Sequence, residues 1–447
     1  MSDRLFGTDG IRGKAGEFPL DEPTLFQLGK SLTKILKTEA KKSPRVIIGR
    51  DTRESGEWIE RCVAAGINAD GGKAVSAGVA TTPGVAFFTK KFDFDAGVVI
   101  SASHNPYHDN GVKVFSPSGR KLEDRFEKEI ESDLLAHPRD LPATDFSITA
   151  SPDYNKKYIR YLLTEIAQGI DLFGIYLAVD CGNGAAAGIA PTVFTAMGAH
   201  IIGVGLEPNG RNINNGCGSL HPEVLAKRVV ETGANLGIAF DGDADRAMFV
   251  DDQGTVRDGD YVLYILGKYL QKKKKLAGNR VVATVMSNIG LELALKDLGI
   301  KMSRASVGDK YVLEELLKTD GSLGGEQSGH IIFPRLSLAG DGLITALQVL
   351  RVIAEEGKSL RELCEGMQKY PQILVNVKVA KKVPFDDLPQ VKRAAQELEK
   401  ELKGNGRLLL RYSGTENLAR VMIEGQDEQT IKAQAESLAD LIRKELA

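Results

Sequence analysis

Asp241-Gly242-Asp243-Ala244-Asp245-Arg246 puts three carboxylates on alternate positions directly after the apolar run Leu236 to Phe240. Carboxylates crowded into one turn repel each other unless a cation or proton intervenes. Their oxygens are hard ligands. An EF-hand is excluded by residue type, because its sixth position wants glycine and holds Arg246, and its twelfth wants glutamate and holds Asp252. Three protein oxygens leave coordination positions for water or phosphate, which suits Mg²⁺. A solvated acidic turn has the same letters, but the apolar strand before it argues for burial.

A second group follows another apolar run. Val98-Val99-Ile100 leads into Ser101-Ala102-Ser103-His104-Asn105-Pro106, small and polar residues fit for an exposed loop. The hydrolase elbow G-x-S-x-G is absent, since Ala102 and His104 flank Ser103. A zinc pair from His104 and His108 needs a helix that Pro106 blocks. A third reading puts a phosphoryl group on Ser103, and a polar loop with no catalytic role has the same letters. The phosphoryl group brings roughly −1.5 to −2 charges and three acceptor oxygens, which a cation on the aspartate loop can neutralise.

Two further loops have binding chemistry. Gly324-Gly325-Glu326-Gln327-Ser328-Gly329-His330 joins mobile backbone to a carboxylate, a hydroxyl and an imidazole, groups that suit sugar hydroxyls. Arg411-Tyr412-Ser413-Gly414-Thr415-Glu416-Asn417, with Arg420 nearby, offers guanidinium, hydroxyl and backbone N–H donors to an anion. Plain turns explain either loop equally well in isolation. Asp180-Cys181-Gly182-Asn183-Gly184-Ala185-Ala186-Ala187-Gly188 approximates a dinucleotide fingerprint with one extra residue before its last glycine, and Glu207 stands where a ribose-binding acid belongs. A dinucleotide-dependent oxidoreductase is therefore the rival class, though it leaves the other loops unexplained. Tight packing of a strand on a helix accounts for the glycines as well. No Walker A sequence exists, because Gly72 stands where lysine should follow Gly66 and Gly71.

The elements that position these loops repeat. Strand-like runs at 46–48, 74–79 and 98–100 are answered by 175–179, 201–206 and 236–240, and by 281–285, 301–307 and a run ending at Leu323. Each set ends in one chemistry-bearing loop. Alternation of strands with helical periods is the α/β signature, and ligands in such sheets bind beyond the strands' carboxyl ends. The fold class expected is α/β: three related mixed α/β domains around a central cleft. After about Pro371 the pattern changes to a small C-terminal α+β domain. The divisions expected are 1–150 with the serine loop, 151–256 with the aspartates, 257–370 with Glu326, and 371–447 with the arginines.

Composition narrows the class. With 447 residues, 42% hydrophobic and 26% charged, the chain is soluble and globular, with room for three or four domains. A net charge of −2 argues against nucleic acid as partner. Lys272 to Lys275 reads as a solvated turn. No apolar run approaches a membrane span, so no membrane partner is expected. The four dispersed cysteines form no CxxC pair and Met1 to Arg4 resembles no signal peptide, so a reducing cytoplasm is expected.

The four loops, in this order and spread over nearly the whole chain, resemble those of the α-D-phosphohexomutases. The opening Phe6-Gly7-Thr8-Asp9-Gly10-Ile11-Arg12-Gly13, the Asn212-Ile213-Asn214 and Cys217-Gly218-Ser219 segments, His221-Pro222-Glu223 and Gly325-Glu326-Gln327-Ser328 are similar to the branch acting on glucosamine phosphates. The resemblance implies a four-domain, heart-shaped isomerase that interconverts glucosamine 6-phosphate and glucosamine 1-phosphate, in amino-sugar metabolism that feeds cell-wall precursors. It implies phospho-Ser103 as donor and Mg²⁺ on Asp241, Asp243, Asp245 and a phosphoserine oxygen. Glu326 and Ser328 would hold sugar hydroxyls; Arg411, Ser413, Gly414, Thr415 and Arg420 would clamp the phosphate that is not reacting. Arg12, Lys113 and His330 match positions near the transferred group. Glucose or mannose phosphate is the alternative substrate, and the oligomeric state, with a homodimer as one candidate, stays open. Tyr412 and Asn417 stand where the family often has proline. Lys113 is expected to lose its proton readily through burial beside Arg12, with His330 as alternative base and Arg12 as a fixed charge.

Overall fold

Runs of β-branched and leucine residues form the strands, and the way they pair explains the repeat. The computed structural model describes residues 5–7, 9–40, 42–136, 148–151, 153–413 and 417–446. In the first sheet Lys73–Val79 and Ala96–Ile100 flank Arg45–Arg50, all parallel, and Asp109–Phe115 returns antiparallel against Ala96–Ile100. The second sheet repeats this with His200–Val204, Tyr176–Asp180 and Leu236–Phe240 in parallel, then Ala247–Val250 antiparallel. The third has Lys301–Ala305, Arg280–Thr284 and Gly324–Gly325, then Ile331–Ile332 reversed. The serine, aspartate and glutamate loops are thus topological equivalents. Each joins the third strand of its set to the antiparallel fourth, beyond a parallel carboxyl edge where open α/β sheets bind ligands.

One apolar cluster runs through all three sheets, from Ile47 through Leu177 and Val281 to Met367. The helix Thr82–Lys91, capped by Thr81, contributes to it; its Phe87 ring stacks on Tyr161 with centroids 4.4 Å apart. The C-terminal sheet has the order Gln372–Lys378, Leu418–Gly425, Gly406–Tyr412, all antiparallel. Two helices, Pro389–Leu402 and Glu428–Leu446, cover it. Its core, Val377 to Leu446, is separate from the shared one. A body with its own core and a limited interface is free to shift relative to the rest. It is tied to the third domain by fully buried Glu424, which accepts from Ile289 N at 3.1 Å, and by Arg407, which donates to Val285 O at 2.8 Å and Ser287 O at 3.1 Å.

The lysine run is a solvated turn as expected, with Lys272 to Lys275 all exposed, and two of its members also make ion pairs. Lys272 ends a helix and pairs with Glu356 at 2.7 Å, and Lys273 pairs with Glu355 at 2.6 Å, because the helix Gly342–Glu356 lies alongside. Among the described residues no helix is long and apolar enough to cross a membrane.

Asp341 caps that neighbouring helix. It accepts from Ile344 N at 2.9 Å and from Tyr158 Oη at 2.5 Å. Burial pushes its carboxyl up to about 6, against the lowering effect of those bonds. The folded chain then keeps a proton on Asp341 that the unfolded chain releases near pH ~4. This stabilisation is complete below the unfolded value and is lost as pH rises through about 6. Asp341→Asn should remove that slope. Between the two pH limits, the unfolding free energy of the wild type from urea titrations should fall relative to the variant's by up to about 3 kcal/mol. Parallel curves would show that Asp341 titrates normally.

Candidate active site

The serine loop is buried at its first three residues, contrary to the exposed loop expected from its small polar residues; His104 and Asn105 are half-buried and Pro106 is exposed. Ser101 and Ser103 are 0% and 1% exposed. The reason is a network that the sequence motif alone does not display. Asp51 accepts from Ser101 Oγ at 2.6 Å and pairs with Arg53 at 2.9 Å, both side chains fully buried. Arg53 donates to the carbonyls of Ser103 (3.0 Å), Asn105 (2.8 Å) and Pro106. Ser103 adopts a left-handed φ of 53°, which turns its side chain toward the second domain. There Ser103 Oγ donates to Asp241 Oδ2 at 2.6 Å. His104 Nδ1 lies 3.2 Å from the same hydroxyl. Burial, then the charges of Arg246 and Arg12, pull His104 down to about 4, so its imidazole is neutral at physiological pH.

Asp241, Asp243 and Asp245 are buried, and one oxygen of each lies within 4.8 Å of the others. Burial, then Asp245 and Asp243, push the Asp241 carboxyl well above the usual range. Asp243 Oδ1 and Asp245 Oδ1 are buried without a hydrogen-bond donor. Three hard anionic donors held close together, two with an oxygen left over, fit a divalent cation. The loop can approach Ser103 because residue 242 is glycine: a Cβ there would sit 2.6 Å from Ser103 O.

Lys113 lies among these groups, 2.9 Å from Asp243, 3.0 Å from Asp9 and 3.8 Å from Asp245. Its pKa is raised, not lowered as expected. Burial acts to lower it, but Asp243, Asp9 and Asp245 together outweigh burial and the charge of Arg12. His330 behaves alike. Burial alone would lower it, yet Asp245, with Nδ1 at 3.6 Å, and Asp309 raise it to about 9. Both groups are cations at neutral pH. Arg12 pairs with Asp9, which Lys121 also holds at 2.6 Å. Asp9 resists its own burial because Lys113, Lys121 and Arg12 hold its carboxyl far below the usual range. Asp9 was given no role by sequence; only its place in the opening motif marked it. Arg53, Thr82 and Asn214 were likewise missed, since nothing in their local spacing signals contacts made across the fold.

Glu326 Oε1 accepts from Gly308 N at 2.9 Å, and Ser328 Oγ lies 3.4 Å from Glu326 Oε2. Gly329, with φ +90°, lets this loop lie on the strand leaving the aspartates, where Ala247 N donates to its carbonyl at 3.1 Å. A chamber of about 420 Å³ opens between the loops, lined by Arg12, His104, Asp245, Arg246, Glu326 and His330 among others. The structure therefore brings Ser103, the aspartates, Arg12, Lys113, Glu326, Ser328 and His330 into one neighbourhood.

The arginines stand apart. Arg411 faces Arg420 across adjacent strands, and burial, then Arg420, lowers the Arg411 pKa. Lys382 Nζ donates to Ser413 O at 2.7 Å. None of the described residues lining the chamber comes from the C-terminal domain. Gly414 and Thr415 lie outside the described residues. Tyr412 stiffens its strand end, stacking on Phe385 with centroids 4.3 Å apart and donating to Val383 O at 2.6 Å.

The glycine-rich loop after Tyr176–Asp180 is no nucleotide cradle. Asp180 accepts from Gly182 N at 2.8 Å and Gly218 N at 2.7 Å, and Ala185 N donates to Gly242 O at 2.8 Å. A Cβ on Gly184 would sit 2.4 Å from Gly242 O. The amides that would grip a pyrophosphate are spent on the chain itself, and the glycines serve to prop up the aspartate loop.

Models of the phosphoglucomutase/phosphomannomutase family match in chain order: alpha/beta/alpha domain I at residues 3–138, domain II at 156–254, domain III at 258–370 and the C-terminal domain at 374–441. The chain belongs to this family. It is 48% identical to the phosphoglucosamine mutase of Solibacter usitatus over 100% of both chains. Against that of Geobacillus kaustophilus the identity is 45%, over 99% of each. Among solved structures, a family protein from Burkholderia thailandensis aligns with TM-score 0.79 at 21% identity, over 99% of this chain and 98% of that one. An N-acetylphosphoglucosamine mutase from Aspergillus fumigatus, in complex with GlcNAc-6P and magnesium, aligns with TM-score 0.66 at 18% identity, over 99% and 96%. At these identities the structures speak for the fold, which is the family's four-domain arrangement. The family's metal dependence agrees with the buried aspartate cluster.

Proposed function

We propose that this chain is an isomerase that interconverts glucosamine 6-phosphate and glucosamine 1-phosphate through a phosphoserine at Ser103 and a 1,6-bisphosphate. The carrying observation is Ser103 Oγ at 2.6 Å from Asp241 within a buried cluster of three aspartates. The phosphoglucosamine mutases that match over the full chain support the amino sugar.

Asp241, Asp243, Asp245 and a phosphoserine oxygen would hold Mg²⁺. When bound it supplies Lewis acidity and charge neutralisation at the phosphoryl oxygens. Phosphoryl transfer asks mainly for in-line positioning and countercharge. Lys113, Arg12 and His330 provide fixed positive charge around Ser103, and the raised pKa of Lys113 suits it to this role better than to taking a proton. Glu326 and Ser328 orient the sugar through its hydroxyls. Arg411, Ser413, Gly414, Thr415 and Arg420 clamp the other phosphate; Arg411 and Arg420 stand opposite each other on adjacent strands, close enough that, after burial, the charge of Arg420 lowers the Arg411 pKa, so one anion can engage both. The segments 1–150, 151–256, 257–370 and 371–447 would act as donor, metal, sugar and phosphate domains. Movement of the fourth, with its separate core, brings its clamp to the chamber and excludes water from the phosphoenzyme.

Turnover of the purified enzyme on glucosamine, glucose and mannose 6-phosphates tests this reading. Glucosamine 6-phosphate should be converted with a kcat/KM at least ~10-fold above the others, a difference of about 1.4 kcal/mol. Equal or better conversion of glucose or mannose phosphate would replace the amino sugar. Absence of one covalent phosphoryl group from every preparation, including one incubated with glucose 1,6-bisphosphate, would remove the phosphoserine.

A further inference from the structure

The Asn212-Ile213-Asn214 segment has no part in the chemistry above, yet Asn214 lies against the donor loop. Its side-chain Nδ2 donates to Ser103 O at 2.9 Å and to Asn105 O at 3.2 Å. These are the same two carbonyls that Arg53 holds, at 3.0 and 2.8 Å. The two grips come from different places. Arg53 is locked by Asp51 in the first domain and fixes the loop to its own sheet. Asn214 belongs to the second domain, the one that bears the aspartates. Its backbone is anchored there, with Asn214 N donating to Gly182 O at 2.8 Å, and its φ of 56° is left-handed. The aspartate loop touches both partners: a Cβ on Gly242 would lie 2.6 Å from Ser103 O and 2.9 Å from Asn214 Nδ2.

We infer that Asn214 is a positioning residue: it fixes the height of Ser103 over the aspartate cluster across the boundary between the first two domains. Arg53 alone holds the loop without reference to the aspartates. Asn214 supplies that reference, and with it the 2.6 Å separation of Ser103 Oγ from Asp241. The inference rests on the proposed phosphoserine reaction, in which that separation decides whether a phosphoryl oxygen reaches the cation. Misplacement of a reacting group by about 1 Å costs on the order of 10²-fold in rate.

Two variants test it. Asn214→Asp keeps the shape and tolerates the left-handed backbone, but turns an acceptor toward two carbonyls. Asn214→Gly removes the donor without adding charge and is free at this φ. Both should lower kcat by about 10- to 100-fold with the sugar-phosphate KM within about twofold, since Glu326 and the arginines are untouched. A second readout needs no turnover. Mn²⁺ binding, followed by electron paramagnetic resonance, should be tighter for wild-type phosphoenzyme than for dephosphoenzyme, and in Asn214→Gly that difference should vanish. A purely structural asparagine would lower the melting temperature and leave the Mn²⁺ difference intact, which overturns the inference, as does an unchanged kcat in both variants. Wild-type protein that never carries a phosphoryl group would instead overturn the reaction on which the inference rests.

Discussion

Alanine at position 103 should reduce turnover of glucosamine 6-phosphate by roughly 10³-fold or more, the scale seen when an enzyme loses its nucleophile. The chain should still fold. Ser103→Ala removes one oxygen, while the loop's anchors act through its backbone: Arg53 and Asn214 both bind the carbonyl of residue 103, and Ser101 Oγ accepts from its N–H at 2.9 Å. The φ of 53° is kept at a cost of about 1–2 kcal/mol that serine already bears. The melting temperature should therefore move by only a few degrees. Intact mass should show no phosphoryl group after incubation with glucose 1,6-bisphosphate, whereas the wild type gains one. His104 Nδ1 lies 3.2 Å from the hydroxyl, and the same mass measurement would register any phosphoryl group it took up instead. Near-wild-type turnover in Ser103→Ala would show that the buried hydroxyl carries nothing.

The two groups of this site became legible by different routes. Ser103 and the aspartates could be found because an apolar run followed by small polar or acidic residues is a local signal, and a buried strand has no structural need of three carboxylates at its tip. The element order was legible for the same reason, since β-branched runs and helical periods are local. The antiparallel fourth strand of each set was not foreseen, because pairing direction is decided by contacts between segments. The burial of the serine loop was also hidden. It depends on Asp51 and Arg53, some fifty residues earlier, and on Asn214, more than a hundred later. Lys113 shows the limit most clearly. Burial was expected, and the structure buries it, but the sign of its pKa change came from Asp9 and Asp243, whose approach no spacing announces. The dinucleotide-like glycines mislead in the converse way: their letters specify a tight backbone approach, and the structure shows that what they approach is Gly242 of the same chain.

Asp243→Asn should lower kcat by about 10²- to 10⁴-fold and abolish the stabilisation that Mg²⁺ gives the wild type. Asp243 links the metal cluster to the first domain through one of its oxygens and leaves the other free. Its Oδ2 accepts from Thr82 Oγ1 at 2.6 Å and from Lys113 at 2.9 Å, while Oδ1 is buried without a donor. Asparagine preserves the outline of the side chain. It removes a hard anionic ligand and places an amide where one acceptor oxygen stood, against either the lysine and the threonine or the cation. Asp9 at 3.0 Å and Asp245 at 3.8 Å still accompany Lys113, so that cation is not stranded in the core. The loss thus falls mainly on metal binding. Thermal melts separate this from a general weakening of the fold. At a hundred times its dissociation constant, Mg²⁺ should stabilise the wild type by about 2.7 kcal/mol. In Asp243→Asn the melting temperature should be the same with Mg²⁺ and with a chelator. A variant that is slower but still stabilised by Mg²⁺ to the wild-type extent would mean that the cation binds without Asp243, and the metal site would have to be redrawn around Asp241 and Asp245 alone.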